Sequence, residues 1–215
     1  RRRQRQMCIR DRVCAVREAH AVDNIVLMGM GEPLHNLDNV VDALHILYAS
    51  TGFDYGPRKV TLSTSGLVPE MCELGRRIKV NLAVSLNATT DDVRNELMPV
   101  NRRYPIKALL EACRTFPLAP RQRITFEYIL IQGVNDSQAD ARRLVKLLHG
   151  IKAKVNLIPF NEHAGSEYRK PTDVAMRAFQ TYLLDRQIVA VRRAGKGQDI
   201  SAACGQLKGK LEETL

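Results

Sequence analysis

Residues 24–49 read NIVLMGMGEPLHNLDNVVDALHILYA, and this stretch decides the fold. Its first five residues, NIVLM, form an apolar run that ends at a glycine turn, the pattern of a buried β-strand. Leu37, Val40, Val41, Leu44 and Leu47 then recur at helical spacing through residue 49, so one face of an amphipathic helix follows. Between the two lie Gly29, Met30, Gly31, Glu32 and Pro33, a polar loop. Strand, polar loop and helix in succession make the repeating unit of a parallel α/β sheet.

The unit recurs along the chain. Further strands are expected at residues 59–62, 80–84, 124–131 (ITFEYILI), 155–159 and 188–191. Helical patterns cover residues 68–77, 91–98 and 106–116. Ser137 with Asp140 three residues on reads as a capping box that opens a helix through Leu148. Pro171, Thr172 and Asp173 start another helix, with Ala175, Ala178, Phe179 and Tyr182 as its expected inward face. A short helix is expected in the tail from Ser201. Six strands separated by helices leave two architectures, an open segment of a (β/α) barrel or an open doubly wound sheet. A closed eight-stranded barrel needs about 250 residues, and this chain has 215.

Composition narrows the class. The hydrophobic share of 45% is ordinary for a globular protein. No apolar run approaches the roughly 20 residues that span a bilayer, and the arginine-rich start lacks the apolar stretch of a secretory signal. Cytoplasmic residence is therefore expected. Five cysteines at irregular spacing argue against a disulfide framework, and no His/Cys spacing fits zinc. The net charge of +10 favours a polyanionic partner. Six of the arginines, however, fall in residues 1–12 (RRRQRQMCIRDR), and the remainder carries 27 basic against 22 acidic residues. Those first residues have no apolar periodicity and no turn chemistry. They resemble translated adapter DNA and are expected to be a non-native tail, with Cys8 carrying no function.

The unusual residues gather after the strands, where parallel α/β folds bind ligands. Gly31 and Glu32 follow the first strand, Ser63, Thr64, Ser65 and Gly66 close the second, and Ser85, Leu86 and Asn87 close the third. Asn161, Glu162 and His163 follow the fifth, and Gly195, Lys196 and Gly197 lead from the sixth towards Cys204. Glycine admits close backbone approach, and hydroxyls, amides and a carboxylate supply directed hydrogen bonds. Five strand ends are thus expected to surround one polar, mid-sized ligand. Each residue also has a plain structural use: Ser63, Thr64 and Ser65 can cap the next helix, Glu32 can be a solvated loop acid, and Asn161 can hold a turn. A phosphate loop is missing, and Gly29-x-Gly31 lacks the third glycine of a dinucleotide fingerprint. Cys204 stands among small residues (SAACGQL), eleven positions from the C-terminus and open to a large group, whereas Cys113 sits in an amphipathic segment as a structural thiol.

GMGEPL (residues 29–34), TLSTSG (61–66), AVSLNA (83–88), NLIPFN (156–161) and DISAACGQL (199–207), in this order, resemble the radical-SAM methyltransferases that modify C2 of adenine in large-subunit rRNA and tRNA, the RlmN family. The likeness runs from about Val13 to the end. A sibling family, Cfr, methylates adenine C8 and usually has alanine where this chain has Pro33, which favours the C2 enzyme.

The resemblance implies a partial (β/α) barrel lacking its first strand, with residues 13–215 forming a partial catalytic domain. It implies S-adenosylmethionine bound by Gly31, Glu32, Ser63, Ser85, Leu86, Asn87 and Asn161, the Glu32 carboxylate pairing with the methionine ammonium. Cys204 becomes the methyl carrier. A 5′-deoxyadenosyl radical from a second S-adenosylmethionine then takes a hydrogen from the S-methyl group, and the carbon radical adds to adenine C2. The implied partners are rRNA, tRNA and an external electron donor, with no membrane and a monomeric state. In the family a CxxxCxxC loop holds a [4Fe-4S] cluster. Those ligands are absent from this chain, as are the second cysteine, the upstream acid and the N-terminal RNA-binding domain, so the chain alone is expected to be inactive. Lys196 replaces a common arginine. Other readings are a Cfr-like C8 enzyme, a non-catalytic remnant that binds S-adenosylmethionine or RNA, and a radical-SAM enzyme for a small molecule. Arg192, Arg193 and Lys196 near Cys204 suit RNA phosphates and argue mildly against the last.

Overall fold

The computed structural model describes residues 13–18, 21–29, 31–163 and 166–193. Residues 1–12, Met30, Lys196, Cys204 and the tail helix expected from Ser201 lie outside the described residues. Six strands alternate with helices: β1 (Ile25–Leu27), α1 (Leu37–Tyr48), β2 (Val60–Thr64), α2 (Val68–Arg77), β3 (Asn81–Ser85), α3 (Asp91–Leu97), α4 (Ile106–Thr115), β4 (Ile124–Leu130), α5 (Gln138–Leu148), β5 (Ala153–Pro159), α6 (Asp173–Leu184) and β6 (Val189–Arg192). Residues 13–18 are also helical. Among the described residues no helix is long and apolar enough to cross a membrane.

Strand order separates the two architectures. All six strands pair in parallel and in sequential order, β1 to β6. A doubly wound sheet reverses its order partway, at the switch point, and this sheet never does. Each crossover steps the same way, so the right-handed rule sets every helix on one face. Helix packing agrees: α1 lies on α2, α2 on α4, and α5 on α6. The fold is an α/β partial barrel.

The period of two sorts the strand residues. Leu62, Leu82, Val84, Phe126, Tyr128 and Leu157 face the helices and are fully buried, against Leu44, Met71, Leu74, Leu109 and Leu144. The Tyr128 ring lies 5.6 Å from that of Phe179 on α6, and its hydroxyl donates to the Asn135 carbonyl at 3.0 Å. Ser63, Ser85, Glu127 and Asn156 alternate with these and face the helix-free side. Ser85, Glu127 and Asn156 stand directly side by side on β3, β4 and β5.

Two expectations change. Residues 24–28 were expected as a buried strand, yet β1 is three residues long, and its Val26, paired with Thr61 on the helix-free face, is 60% exposed. On α6, Ala178 is exposed, and the buried face is Met176, Phe179 and Leu183. The capping box is formed, with the Asp140 N–H donating to Ser137 Oγ at 3.1 Å. Cys113 is 1% exposed, and burial pushes its thiol up to about 12, in keeping with a structural role.

Candidate functional site

Glu32 ties the first two strand ends together. As N-cap of the 3-10 turn Pro33–Asn36, its Oε1 accepts from the Leu34 N–H at 3.1 Å. Its Oε2 accepts from Ser65 twice, from the N–H at 2.6 Å and the hydroxyl at 2.7 Å. Three of about four acceptor positions on the carboxylate are filled, leaving room for one more donor. Glu32 is thus not a solvated loop acid, and Ser65 serves Glu32 rather than capping α2, whose N-cap is Leu67 without a side-chain bond. Gly31 beside it has φ +86, and a Cβ there would meet nothing within 4 Å. Backbone conformation selects glycine here, and the backbone faces open space.

A buried arginine ties the second strand end to the third. Arg94 on α3 is 0% exposed. Its guanidinium donates to the carbonyls of Ser65 (2.7 Å), Ser85 (3.0 Å) and Leu86 (3.0 Å) and to Asn101 Oδ1 (2.9 Å). Burial lowers its pKa to about 10, with Asp91 opposing the fall, so it stays charged at neutral pH. Leu86 is itself fully buried, its N–H donating to the Glu127 carbonyl at 2.9 Å. Leu86 therefore shapes the turn, and its backbone groups are occupied.

Asparagines continue the tie to β4. Asn87, at φ 56, accepts the Ile129 N–H on its Oδ1 at 2.9 Å. Asn135, 1% exposed, donates to the carbonyls of Asn87 (2.7 Å) and Ile129 (2.8 Å) and accepts the Ile131 N–H (2.7 Å). Thr89 donates to Asp140 at 2.6 Å, joining the same turn to the start of α5. On β5 the Phe160 N–H bonds the Leu130 carbonyl at 3.0 Å, which places Asn161 beside the end of β4. Gly31, Glu32, Ser63, Ser85, Leu86, Asn87 and Asn161 thus share one edge of the sheet. Cys204, the expected methyl carrier, lies outside the described residues.

Glu127 is the group the sequence reading passed over. It is 7% exposed on the helix-free face, and burial raises its carboxyl above the ordinary range, with Arg193 and an Asn156 hydrogen bond opposing. The signal was present: one acid inside the apolar strand ITFEYIL is the informative exception. Arg193, expected as a phosphate contact, stands 3.7 Å from Glu127 Oε1. Arg192 lies on the opposite face, 3.3 Å from Asp173 of α6. Both arginines have partners within the chain. Arg94 and Asn135 had no comparable signal, since their partners are distant in sequence.

The described residues fit S-adenosylmethionine and do not fit a cluster. The edge offers hydroxyls, amides and one open carboxylate position, the donors and acceptors a zwitterion with a ribose requires. Among the described residues no group of three His, Cys, Asp or Glu is placed to hold a metal. Cys14 is exposed on the helical segment 13–18, and Cys72 and Cys113 belong to α2 and α4 in the helix layer.

Known proteins share this arrangement. The family described as the Radical SAM superfamily matches residues 1–145. A dual-specificity RNA methyltransferase RlmN of Syntrophotalea carbinolica is 72% identical over 94% of this chain and 54% of its own length. The RlmN of Geotalea uraniireducens is 58% identical over 95% of this chain and 60% of its own. The chain therefore spans about half the length of the curated relatives it matches. A crystal structure of a radical SAM methyltransferase from Sphaerobacter thermophilus superposes with a TM-score of 0.83 at 46% identity, covering 89% of this chain and 57% of that one. A domain of pyruvate-formate lyase-activating enzyme from Bacteroides vulgatus shares the fold alone, at 16% identity and a TM-score of 0.61 over 80% of this chain and 99% of that one.

Proposed function

The chain belongs to the radical SAM superfamily, and on that premise we propose that it is the catalytic-domain portion of an RNA methyltransferase that modifies adenine C2 in rRNA and tRNA. One observation carries the reading: 72% identity over 94% of the chain to a dual-specificity RNA methyltransferase, on a sheet whose strand ends converge on one polar edge. Residues 13–215 form this domain. Monomeric state, cytoplasmic residence and an external electron donor go with the same reading.

Bound S-adenosylmethionine supplies an electrophilic methyl group on a sulfonium sulfur. The residues divide the work of holding it. Glu32 accepts the methionine ammonium at its remaining position, so the same carboxylate reports ligand arrival to Ser65 and β2. Ser63 and Ser85 present hydroxyls from the helix-free face. Gly31 offers a backbone without a Cβ, and Asn87 and Asn161 line the far end, on a turn that the buried Leu86 shapes. Cys204 would be the residue that receives this methyl group, on its thiol sulfur. The described residues do not fit an iron–sulfur cluster, so binding without turnover is expected of the chain by itself.

Two measurements test the reading. Calorimetry of the chain with S-adenosylmethionine should give saturable binding that Glu32→Ala weakens; unchanged affinity refutes the role of Glu32. A full-length protein carrying this sequence, expressed in a bacterium without adenine-C2 methylation, should restore 2-methyladenosine in nucleoside digests of rRNA and tRNA, and Cys204→Ala should abolish it. Appearance of 8-methyladenosine instead would favour the sibling chemistry, and no modified adenosine would refute the proposal.

A further inference from the structure

The Glu127 carboxylate is more than a structural acid. Its Oε1 is buried without a hydrogen-bond partner, and the nearest cation, Arg193, is 3.7 Å away, beyond hydrogen-bond length. A buried carboxylate oxygen left bare is costly, and natural sequences retain few such groups without a use. Glutamine would have satisfied the strand with less penalty. A missing donor at Oε1 is the simplest account of the retained charge.

Its neighbours indicate the donor. Ser85 and Asn156 flank Glu127 in register on β3 and β5, both neutral hydrogen-bonding residues on the helix-free face. The main chain of Glu127 accepts the Leu86 N–H at 2.9 Å, so the same residue forms the wall beneath the turn that carries Ser85, Leu86 and Asn87. Arg193 already supplies a positive charge, which disfavours a second cation and favours a neutral donor. The Glu32 carboxylate, the acceptor suited to an ammonium, sits on Ser65 at the end of β2, two strand spacings away, or about 10 Å along the sheet. A ligand that places its ammonium at Glu32 extends its other half towards β3 and β4.

We propose that Glu127 is a specificity-determining residue of this pocket, accepting a hydrogen bond from a ribose hydroxyl of the bound nucleoside. The assignment rests on the reading of the edge as an S-adenosylmethionine site. It makes the pocket select ribonucleosides over deoxyribonucleosides through one buried charge. A carboxylate–hydroxyl bond in such a place discriminates by roughly tenfold or more.

The test compares 5′-methylthioadenosine with its 2′-deoxy and 3′-deoxy analogues, bound to the 215-residue chain by calorimetry. In the natural sequence, at least one deoxy analogue should bind roughly tenfold more weakly than the parent. In Glu127→Ala that preference should vanish, with affinity for the deoxy analogue unchanged. Glu127→Gln keeps an acceptor and the side-chain shape and should lie between, so it carries the test should the alanine variant not fold. A preference undiminished in either variant, or an equal loss for all three ligands, overturns the role of Glu127. Failure of the natural chain to bind S-adenosylmethionine would instead overturn the reading of the pocket, a separate result from the same titrations.

Discussion

Removing the Arg94 guanidinium should loosen the strand ends more than any change to the predicted binding residues. Arg94→Met keeps the aliphatic stem of the side chain and deletes the donors. Three acceptors lose their donor, the carbonyls of Ser65 and Ser85 and Asn101 Oδ1, while the Leu86 carbonyl keeps the Ala88 N–H at 2.8 Å. A buried acceptor stranded in this way costs about 1–3 kcal/mol. Part of that is recovered, because methionine carries no charge to desolvate. Burial depresses the Arg94 pKa from 12.5 to about 10, which corresponds to a penalty on the order of 3 kcal/mol. Taking the three acceptors near the middle of their range and subtracting this relief leaves a net loss of about 3 kcal/mol. That is a large part of a stability of roughly 5–15 kcal/mol.

The assay is urea unfolding followed by far-UV circular dichroism, with a thermal melt alongside. For a chain of this size, about 3 kcal/mol lowers the melting temperature by roughly 6–12 °C. Arg94→Lys retains the charge but not the planar fork, so it should fall between the two. Affinity for S-adenosylmethionine should drop in both variants, because Ser65 positions Glu32 and Arg94 holds Ser65. A loss below about 1 kcal/mol in Arg94→Met would refute the reasoning, since it would mean the three stranded oxygens find equivalent donors without the guanidinium.

Three further outcomes are expected. Burial pushes the Asp140 carboxyl up, but hydrogen bonds from Ser137, Thr89 and Arg143 and the Arg143 charge outweigh it and hold the group below its ordinary value. Its stabilisation is present above the unfolded value of about 3.9 and lost as pH falls through the folded one, so Asp140→Asn should flatten the acid limb of the urea midpoint. Glu127 is the opposite case: its raised value means stability falls as pH climbs from about 4.3 through the folded value. The gap between Glu127→Gln and the natural chain should widen over that climb, and parallel pH profiles would contradict it. Gly75→Ala places a Cβ 2.7 Å from Pro117 Cδ and 3.1 Å from Phe116 Cε2; the proline ring cannot yield, so the melt should show a loss of about 1–2 kcal/mol despite better helix propensity.

The reach of local rules explains what the sequence conveyed. Strands and helices are set by patterns within a few residues, so all six strands and the capping box at Ser137 were legible. Neighbours across the sheet are not local. The run NIVLM does not say which of its faces is covered, and Val26, in register with Thr61 on the helix-free face, is the residue left exposed. Arg192 and Arg193 are adjacent in sequence, but the period of two sends one to Asp173 and the other to Glu127. Residue type suggested phosphate contacts for both; the pleat gave each an internal partner.

The same distance effect divides the candidate site into ties and reaching groups. Glu32 meets Ser65 across 33 residues, Asn87 meets Ile129 across 42, and Thr89 meets Asp140 across 51. A polar residue after a strand can bind a ligand or bind the next strand end, and its identity is the same in either case. Glu32 and Asn87 already do the second, which makes them part of the frame whatever else they hold. Ser63, Ser85 and Glu127 alternate onto the helix-free face, where the strand ladder does not use their side chains. Selectivity for a ligand therefore belongs with that face, and the frame formed by Glu32, Arg94 and Asn135 sets how accurately it is presented. A substitution in the frame should weaken related ligands together, whereas one on the face should change their ranking.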